Sequence, residues 1–369
     1  MRIGIFGGSF DPIHNDHYEI CKKFKENLNL DKVIVVPTYL SPFKSEYVTP
    51  PTMRKEMVEI AFSNLDYVTV SDYEINQSNP SYTYKTIEWV KSNNKNAELF
   101  LLIGADSLVN FLNWKSVDYI LENATLTVMG RRGFNLESEA ERFKNSTGKP
   151  IFFFEYDGKI SSTFVREILK LGVSTTNYIN SKVADYIVQN ELYSGDKNYK
   201  FLASQLKTSR LVHTAGVIIL AEKYAKKLGV NFESARLSAL LHDVAKYKKR
   251  EDFKNVDIPK DAPESIVHQY IGAHIAENEL KITDTNVLNA IKYHSTGRPN
   301  MTQLEKIIFL ADLLEQGRSY DEVDELRNAV DSDFENGFKL CIERLIKHVK
   351  NSGEQLFELT TLANEFYNK

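Results

Sequence analysis

Five short apolar runs constrain this chain more than any other feature. RIGIFG, KVIVVP, YVTVSD, ELFLLIGAD and TLTVMG are rich in Val, Ile, Leu and Phe, and the last of them ends at residue 130. Between them lie helical patterns such as YEICKKFKENLN, TMRKEMVEIAFSN and YTYKTIEWVKSN. Short buried strands that alternate with helices are the signature of βαβ units, whose parallel sheet is covered on both faces. Such a sheet takes its ligands beyond the carboxyl ends of the strands. Around YIVQNELYSGDKNYK the alternation stops, interrupted by Gly195, Asp196 and Asn198. Everything after reads as helix, including RLVHTAGVIILAEKYAKKLG, ESARLSALLHDVAKYKKR and TQLEKIIFLADLLEQGR, the last opened by a T-x-x-E capping box at Thr302 and Glu305. The expected architecture is an α/β Rossmann-like domain over residues 1–195, a parallel sheet with helices on both faces, followed by an all-α helical domain over residues 196–369.

Composition sets limits on function. At 369 residues the chain exceeds one ordinary core. A net charge of −4 gives no basic field to hold nucleic acid. No apolar run approaches the roughly 18 residues that cross a bilayer, and MRIGIFGGSF has no secretory pattern. Cys21 and Cys341 lie far apart in amphipathic segments and read as small core residues. The expectation is a cytoplasmic protein with small-molecule partners and no nucleic acid or membrane partner; self-association is left open.

The first run leads into GIFGGSFDPIHNDH, a strand, tight loop and helix. Gly7 and Gly8 let backbone N–H groups face an anion at close range. The following helix offers free N–H groups and a positive dipole end. His14 and His17 share one face of that helix, a spacing that suits a metal, a phosphate or a plain surface. Farther on, ISSTFVREILKLG places Ser161, Ser162 and Thr163 at a helix start, with Arg166 on its first turn. A cation opposes the dipole there, which makes sense if an anion lies between it and the helix end.

GIFGGSFDPIHNDH resembles the G-G-[ST]-F-D-P-x-H-x-x-H signature of the H-x-x-H nucleotidyltransferases, and ISSTFVR is similar to their second signature. PTYLSPFK, SYTYKT, LLIGADSLVNFLNW and GRRG point to the bacterial nicotinate-nucleotide adenylyltransferases within that group. The resemblance implies transfer of AMP from ATP to nicotinate mononucleotide, giving deamido-NAD and pyrophosphate, with Mg²⁺ accompanying the nucleotide. It implies an ATP site of Gly7, Gly8, Ser9, Phe10, His14, His17, Gly104, Asp106, Ser161, Ser162, Thr163 and Arg166. Lys44, Thr83, Trp114 and Arg131 would take the mononucleotide, and His14, His17, Lys44 and Arg166 would act in catalysis. Two residues depart from the pattern: Asp16 stands where the family has Gly, and Phe43 where it has His. A carboxylate beside a triphosphate is expected to turn away or to meet Mg²⁺. An amide mononucleotide, or another acceptor, remains an alternative substrate.

Six of the eight histidines lie in the second half: His213, His242, His268, His274, His294 and His348. His242 and Asp243 sit in the apolar ALLHDVAK, and Asp312 in IIFLADLLEQ. A carboxylate in such a setting must be paired or metal-bound, and several such groups on separate helices suit a metal centre inside a bundle. HTAGV, LLHDVAK, YHSTGR and LEKIIFLADLLEQGR resemble the HD-domain phosphohydrolases that split diadenosine tetraphosphate into two ADP. The resemblance implies two divalent transition metals, iron favoured and manganese the alternative, on His213, His242, Asp243, His268, His294 and Asp312. Asp243 would bridge them and act in catalysis, and Lys246, Thr296, Arg298 and Arg318 would contact phosphate. Together the halves imply a bifunctional transferase and hydrolase acting on ATP, nicotinate mononucleotide and diadenosine tetraphosphate. A different HD phosphatase, or a nucleotide-sensing HD module, is the alternative for the second half.

Overall fold

A computed structural model describes residues 1–41, 47–77, 80–130, 136–353 and 355–368. The chain divides into two compact units, residues 1–166 with 174–193, and residues 167–173 with 194–369. In the first, six strands form one sheet: β1 (Arg2–Gly8), β2 (Lys32–Pro37), β3 (Val68–Val70), β4 (Glu98–Gly104), β5 (Thr125–Gly130) and β6 (Phe152–Glu155). Their order is β3-β2-β1-β4-β5-β6, and every pairing is parallel. This is the α/β architecture read from the alternating runs. The order reverses between β1 and β4, so the loops leaving these two strands diverge and open a crevice at their carboxyl ends.

The strands are buried because helices cover both faces: Ile3 and Ile5 of β1, Val33 and Val35 of β2, and Phe100 and Leu101 of β4 are almost wholly out of solvent. Gly4 is required by that packing. A Cβ there would come within 2.5 Å of the Phe24 ring and 2.6 Å of Leu30. The sixth strand is absent from the five runs read in the sequence. FFFE neither alternates nor continues, and at the sheet edge only Phe154 is buried. An edge strand packs on fewer neighbours and so carries a weaker pattern.

The second unit is helical among its described residues. Helix Gln303–Leu314 is buried nearly all round and packs on helices Thr208–Leu228, Phe232–Leu241 and Thr285–Lys292, as an apolar helix without a polar face must. The Thr302 hydroxyl accepts the Glu305 N–H, and the Glu305 carboxylate accepts the Thr302 N–H at 2.6 Å, completing the capping box. ESARLSALLHDVAKYKKR does not run on as one helix: its helix ends at Leu241, immediately before His242, and the 285–292 helix likewise stops short of His294. No helix among the described residues is long and apolar enough to cross a membrane.

Gly4→Ala should overpack the interface of β1 with helix Asn15–Leu28. The expected loss is about 1–3 kcal/mol, read as a lower melting temperature of the first unit by calorimetry.

Candidate functional sites

The loop after β1 is organised around one ring. Phe10 adopts a left-handed backbone (φ +48°), and its buried side chain meets Phe6 and His17 edge-on, with centroids 5.4 and 5.1 Å apart. A Cβ on Gly8 would sit 2.8 Å from the Phe10 ring, so the second glycine reserves the ring's place. His14 is the N-cap of helix Asn15–Leu28, and its imidazole stacks on that of His17 at 3.7 Å. The His14 backbone N–H donates to His17 Nδ1 at 3.2 Å. That bond assigns the His17 proton to Nε2, leaving a neutral donor. Burial, with the neighbouring His14, holds the His17 imidazole well below its ordinary range.

A cavity of about 1030 Å³ occupies the crevice where the strand order reverses. β1 and its helix line it with Gly7, Gly8, Ser9, His14 and His17, and Ser161 and Ser162 join them. Gly104, Asp106 and Trp114 line it from β4 onward, and Thr83 from the 83–93 helix. Ser162 Oγ donates to Pro12 O at 2.9 Å, and Arg166 donates to Asp11 O at 2.6 Å and to Thr163 Oγ1 at 3.2 Å. These bonds join the two signatures, 150 residues apart in sequence for the Ser162–Pro12 bond. Lys44 and Arg131, and with them Phe43, lie outside the described residues.

Asp16 is buried, and both its oxygens are engaged by the protein. Oδ1 accepts the Tyr156 hydroxyl at 2.9 Å and Oδ2 the Ile160 N–H at 2.8 Å. A Cβ on Gly158 would fall 2.6 Å from the same carboxylate. The residue that departs from the family pattern therefore ties the first signature to the loop ahead of Ser161.

Sequence reasoning missed Arg54. It is fully buried and donates to four backbone carbonyls: Ser9 (2.6 Å), Thr38 (2.7 Å), Tyr39 (3.1 Å) and Thr49 (3.1 Å). It thus braces the glycine loop from behind. A signal existed, because Arg54 shares the helix face of the buried Met57, Val58 and Ala61 at the i, i+3, i+4, i+7 spacing of a core stripe.

In the second unit the six expected ligands form one group. Asp243 Oδ1 lies 3.1 Å from His268 Nε2 and 3.6 Å from His294 Nε2. Asp243 Oδ2 lies 3.4 Å from His242 Nε2. His213 Nε2 is 3.0 Å from Asp312 Oδ1. Two triads have ligand atoms all within 4.8 Å of one another, His213–His242–Asp312 and His242–Asp243–His294. His242 Nδ1 bonds Ala239 O at 2.7 Å and His294 Nδ1 bonds Ile291 O at 2.8 Å. Each ring caps the helix it follows, and the same bond leaves Nε2 as the free lone pair aimed at the cluster.

The protonation states of His242, His268 and Asp243 suit a metal. Burial lowers His242, and lowers His268 to about 4. Burial alone would raise Asp243, but His242, His268 and His294 outweigh it and hold the carboxyl well below its usual range. His242 Nε2 and both Asp243 oxygens are buried without a hydrogen bond among the described residues, although Arg210 and Lys246 approach the carboxylate at 3.0 and 3.3 Å. Buried imidazoles and carboxylates with unused lone pairs are the donor set of a divalent transition metal.

Lys246 and Arg318 reach the cluster, at 3.3 Å from Asp243 and 2.6 Å from Asp312. Arg298 instead lays its guanidinium on both oxygens of Glu305, at 2.7 and 3.0 Å, and Thr296 is buried and accepts from Gln269. His274 pairs with Asn278, away from the ligands. The sequence reading also missed Glu315. Its buried carboxylate lies 3.0 Å from His213 Nδ1 and accepts the Gly317 N–H at 2.6 Å. Its spacing from Asp312 places both on one helix face.

The cytidylyltransferase-like family matches residues 5–168. A Clostridium tetani protein bearing the name "Probable nicotinate-nucleotide adenylyltransferase" is 36% identical over 194 residues, 51% of this chain and 97% of its own length. The chain belongs to the nicotinate-nucleotide adenylyltransferase family. The HD domain family matches residues 210–317, and an HD domain is a divalent-metal site. A Mycoplasma genitalium protein named "Probable nicotinate-nucleotide adenylyltransferase/Ap4A hydrolase" is 26% identical over 373 residues, 95% of this chain and 99% of its own. The crystal structure of a predicted HD superfamily hydrolase involved in NAD metabolism from Clostridium acetobutylicum is 34% identical over 47% of this chain and 96% of its own, with a TM-score of 0.44.

Glu315→Gln should weaken metal binding by about 10- to 100-fold, measured as manganese affinity by calorimetric titration of the stripped protein.

Proposed function

We propose that this chain is a bifunctional enzyme, with residues 1–195 as the adenylyltransferase domain and residues 196–369 as the metal phosphohydrolase domain. The first transfers AMP from ATP to nicotinate mononucleotide. A phosphate oxygen of the mononucleotide attacks the α-phosphorus, the bond to the β-phosphate breaks, and pyrophosphate leaves. No enzyme nucleophile is needed, so catalysis is positioning and charge stabilisation. The observation that carries this reading is the stacked His14–His17 pair bordering a cavity at the strand-order reversal. His17 Nε2–H and His14 donate to the triphosphate, with Ser161, Ser162 and Thr163 at the helix start and the cations Arg166 and Lys44. Gly104 and Asp106 take the adenosine, Asp106 accepting a ribose hydroxyl. Thr83, Trp114 and Arg131 take the mononucleotide, with the indole against the pyridine ring. Mg²⁺ travels with the ATP phosphates.

The second domain hydrolyses diadenosine tetraphosphate symmetrically to two ADP. The convergence of six ligands, four of them buried, carries this reading. His213, His242, Asp243, His268, His294 and Asp312 would hold two metals, iron or manganese, with Asp243 between them. When bound, these supply Lewis-acid charge at phosphorus and lower the pKa of water. Lys246, Arg318 and Arg210 stand beside the carboxylates, where each can take up phosphate charge. Thr296 and Arg298 complete the proposed substrate contacts. All the substrates are intracellular nucleotides, and we assign the protein to the cytoplasm on that ground.

Asp243→Ala should abolish ADP release from diadenosine tetraphosphate while leaving pyrophosphate release from ATP and nicotinate mononucleotide unchanged. His17→Ala should do the reverse, with a loss of about 100-fold or more in adenylyl transfer. Two coupled assays on one preparation measure both. Wild-type protein supplied with iron or manganese that yields no ADP would end the hydrolase reading.

A further inference from the structure

The loop that follows His294 is fixed by one buried amide. Gln269, next to the expected ligand His268 on helix Glu264–Asn278, is wholly out of solvent. Its Oε1 accepts the Ser295 N–H at 3.2 Å, and its Nε2 donates to Thr296 Oγ1 at 3.2 Å. One side chain thereby satisfies a donor and an acceptor on consecutive residues and sets the loop against the helix. At the far end the Met301 N–H donates to the Tyr367 hydroxyl at 2.5 Å, so the loop is held there as well.

The two hydroxyls of this loop have different surroundings. Thr296 is buried, and its hydroxyl accepts from Gln269 and donates to Gly297 O at 2.9 Å. Two bonds thus tie it to the loop itself. Ser295 is half-buried, and its Oγ lies 3.0 Å from His294 Nε2 and 3.3 Å from His268 Nε2. The Lys246 ammonium stands 3.2 Å from the same His268 nitrogen. A hydroxyl and an ammonium therefore flank one ring of the ligand cluster.

The carboxylates of the cluster are matched in place. Arg210 and Lys246 meet Asp243 at 3.0 and 3.3 Å, and Arg318 meets Asp312 at 2.6 Å. Both carboxylates are expected ligands, and with divalent metals on them the corner is net positive, as a phosphate requires. His294 Nδ1 bonds Ile291 O, which makes its Nε2 a lone pair. A lone pair engaged by a metal does not also accept the Ser295 proton. The hydroxyl then keeps a donor for another oxygen, and beside an ammonium the oxygen it suits is anionic.

We propose that Ser295 is a substrate-binding residue of the hydrolase site: its hydroxyl donates to a phosphate oxygen of the dinucleoside polyphosphate beside Lys246, and Gln269 is the positioning residue that holds it there. The proposal rests on the hydrolase reading and adds a contact to it.

The test uses the full-length protein loaded with manganese and initial rates of ADP release from diadenosine tetraphosphate. Ser295→Ala should lower kcat/KM by about 10-fold, the loss of one hydrogen bond to a charged oxygen, chiefly through a higher KM. Its manganese affinity, titrated calorimetrically into the stripped protein, should equal that of wild type. Ser295→Thr, which keeps the hydroxyl, should restore most of the loss. Gln269→Met should act in the same direction, and adding Ser295→Ala to it should lose less than Ser295→Ala loses alone. An unchanged kcat/KM in Ser295→Ala would overturn the proposal. So would a fall in manganese affinity that matches the fall in activity, which would assign the hydroxyl to the metal, and so would full additivity of the two substitutions. Wild-type protein that releases no ADP with manganese or iron would overturn the hydrolase reading itself, a result distinct from any of these.

Discussion

Charge taken out of water must be met by opposite charge, hydrogen bonds or metal, and this requirement arranges both candidate sites. In the first unit Arg54 is wholly buried, and its partners are backbone carbonyls on Ser9, Thr38, Tyr39 and Thr49. One guanidinium thereby fixes the glycine loop and two neighbouring segments at once. Asp16 does the same from the other side, its carboxylate holding Tyr156 and Ile160 ahead of the second helix N-terminus. In the second unit, Asp243 is buried among three imidazoles and draws their Nε2 atoms inward.

The two sites handle phosphate by different means. The first offers neutral donors, a helix start and a loop opened by two glycines, which suits a triphosphate that brings its own cation. The second gathers imidazole and carboxylate lone pairs, which suits metals that polarise phosphorus from the protein side. In both, the Nδ1 of a histidine is spent on structure. His17 accepts the His14 N–H, and His242 and His294 donate to carbonyls at the ends of their helices. The outward nitrogen is thus in a defined state in each, a donor in the first and a lone pair in the second.

Much of this was legible from residue order. The alternation of apolar runs fixes a parallel sheet because only strands covered on both faces read so continuously. The capping box at Thr302 was legible because it is a local exchange of two hydrogen bonds. The edge strand FFFE was not, since only Phe154 of it is buried and it carries no run of core residues. Arg54 and Glu315 were hidden for a related reason. A charged residue on an apolar stripe reads as an exposed exception until its distant partners are known, and those partners are carbonyls and a histidine up to 102 residues away.

Sequence alone determined the two-part organisation and the strand-loop-helix with its glycines and paired histidines, while the residues expected to gather with Asp243 came from the resemblance to HD-domain phosphohydrolases. The first two rest on local spacing and periodicity, which are properties of the chain itself. Tertiary structure decided what those residues face. It turned Asp16 onto the 156–160 loop, gave Arg298 to Glu305 and set Glu315 behind His213. Each outcome depends on where chains far apart in sequence meet, and the free energy of a buried or half-buried charge is set by those neighbours.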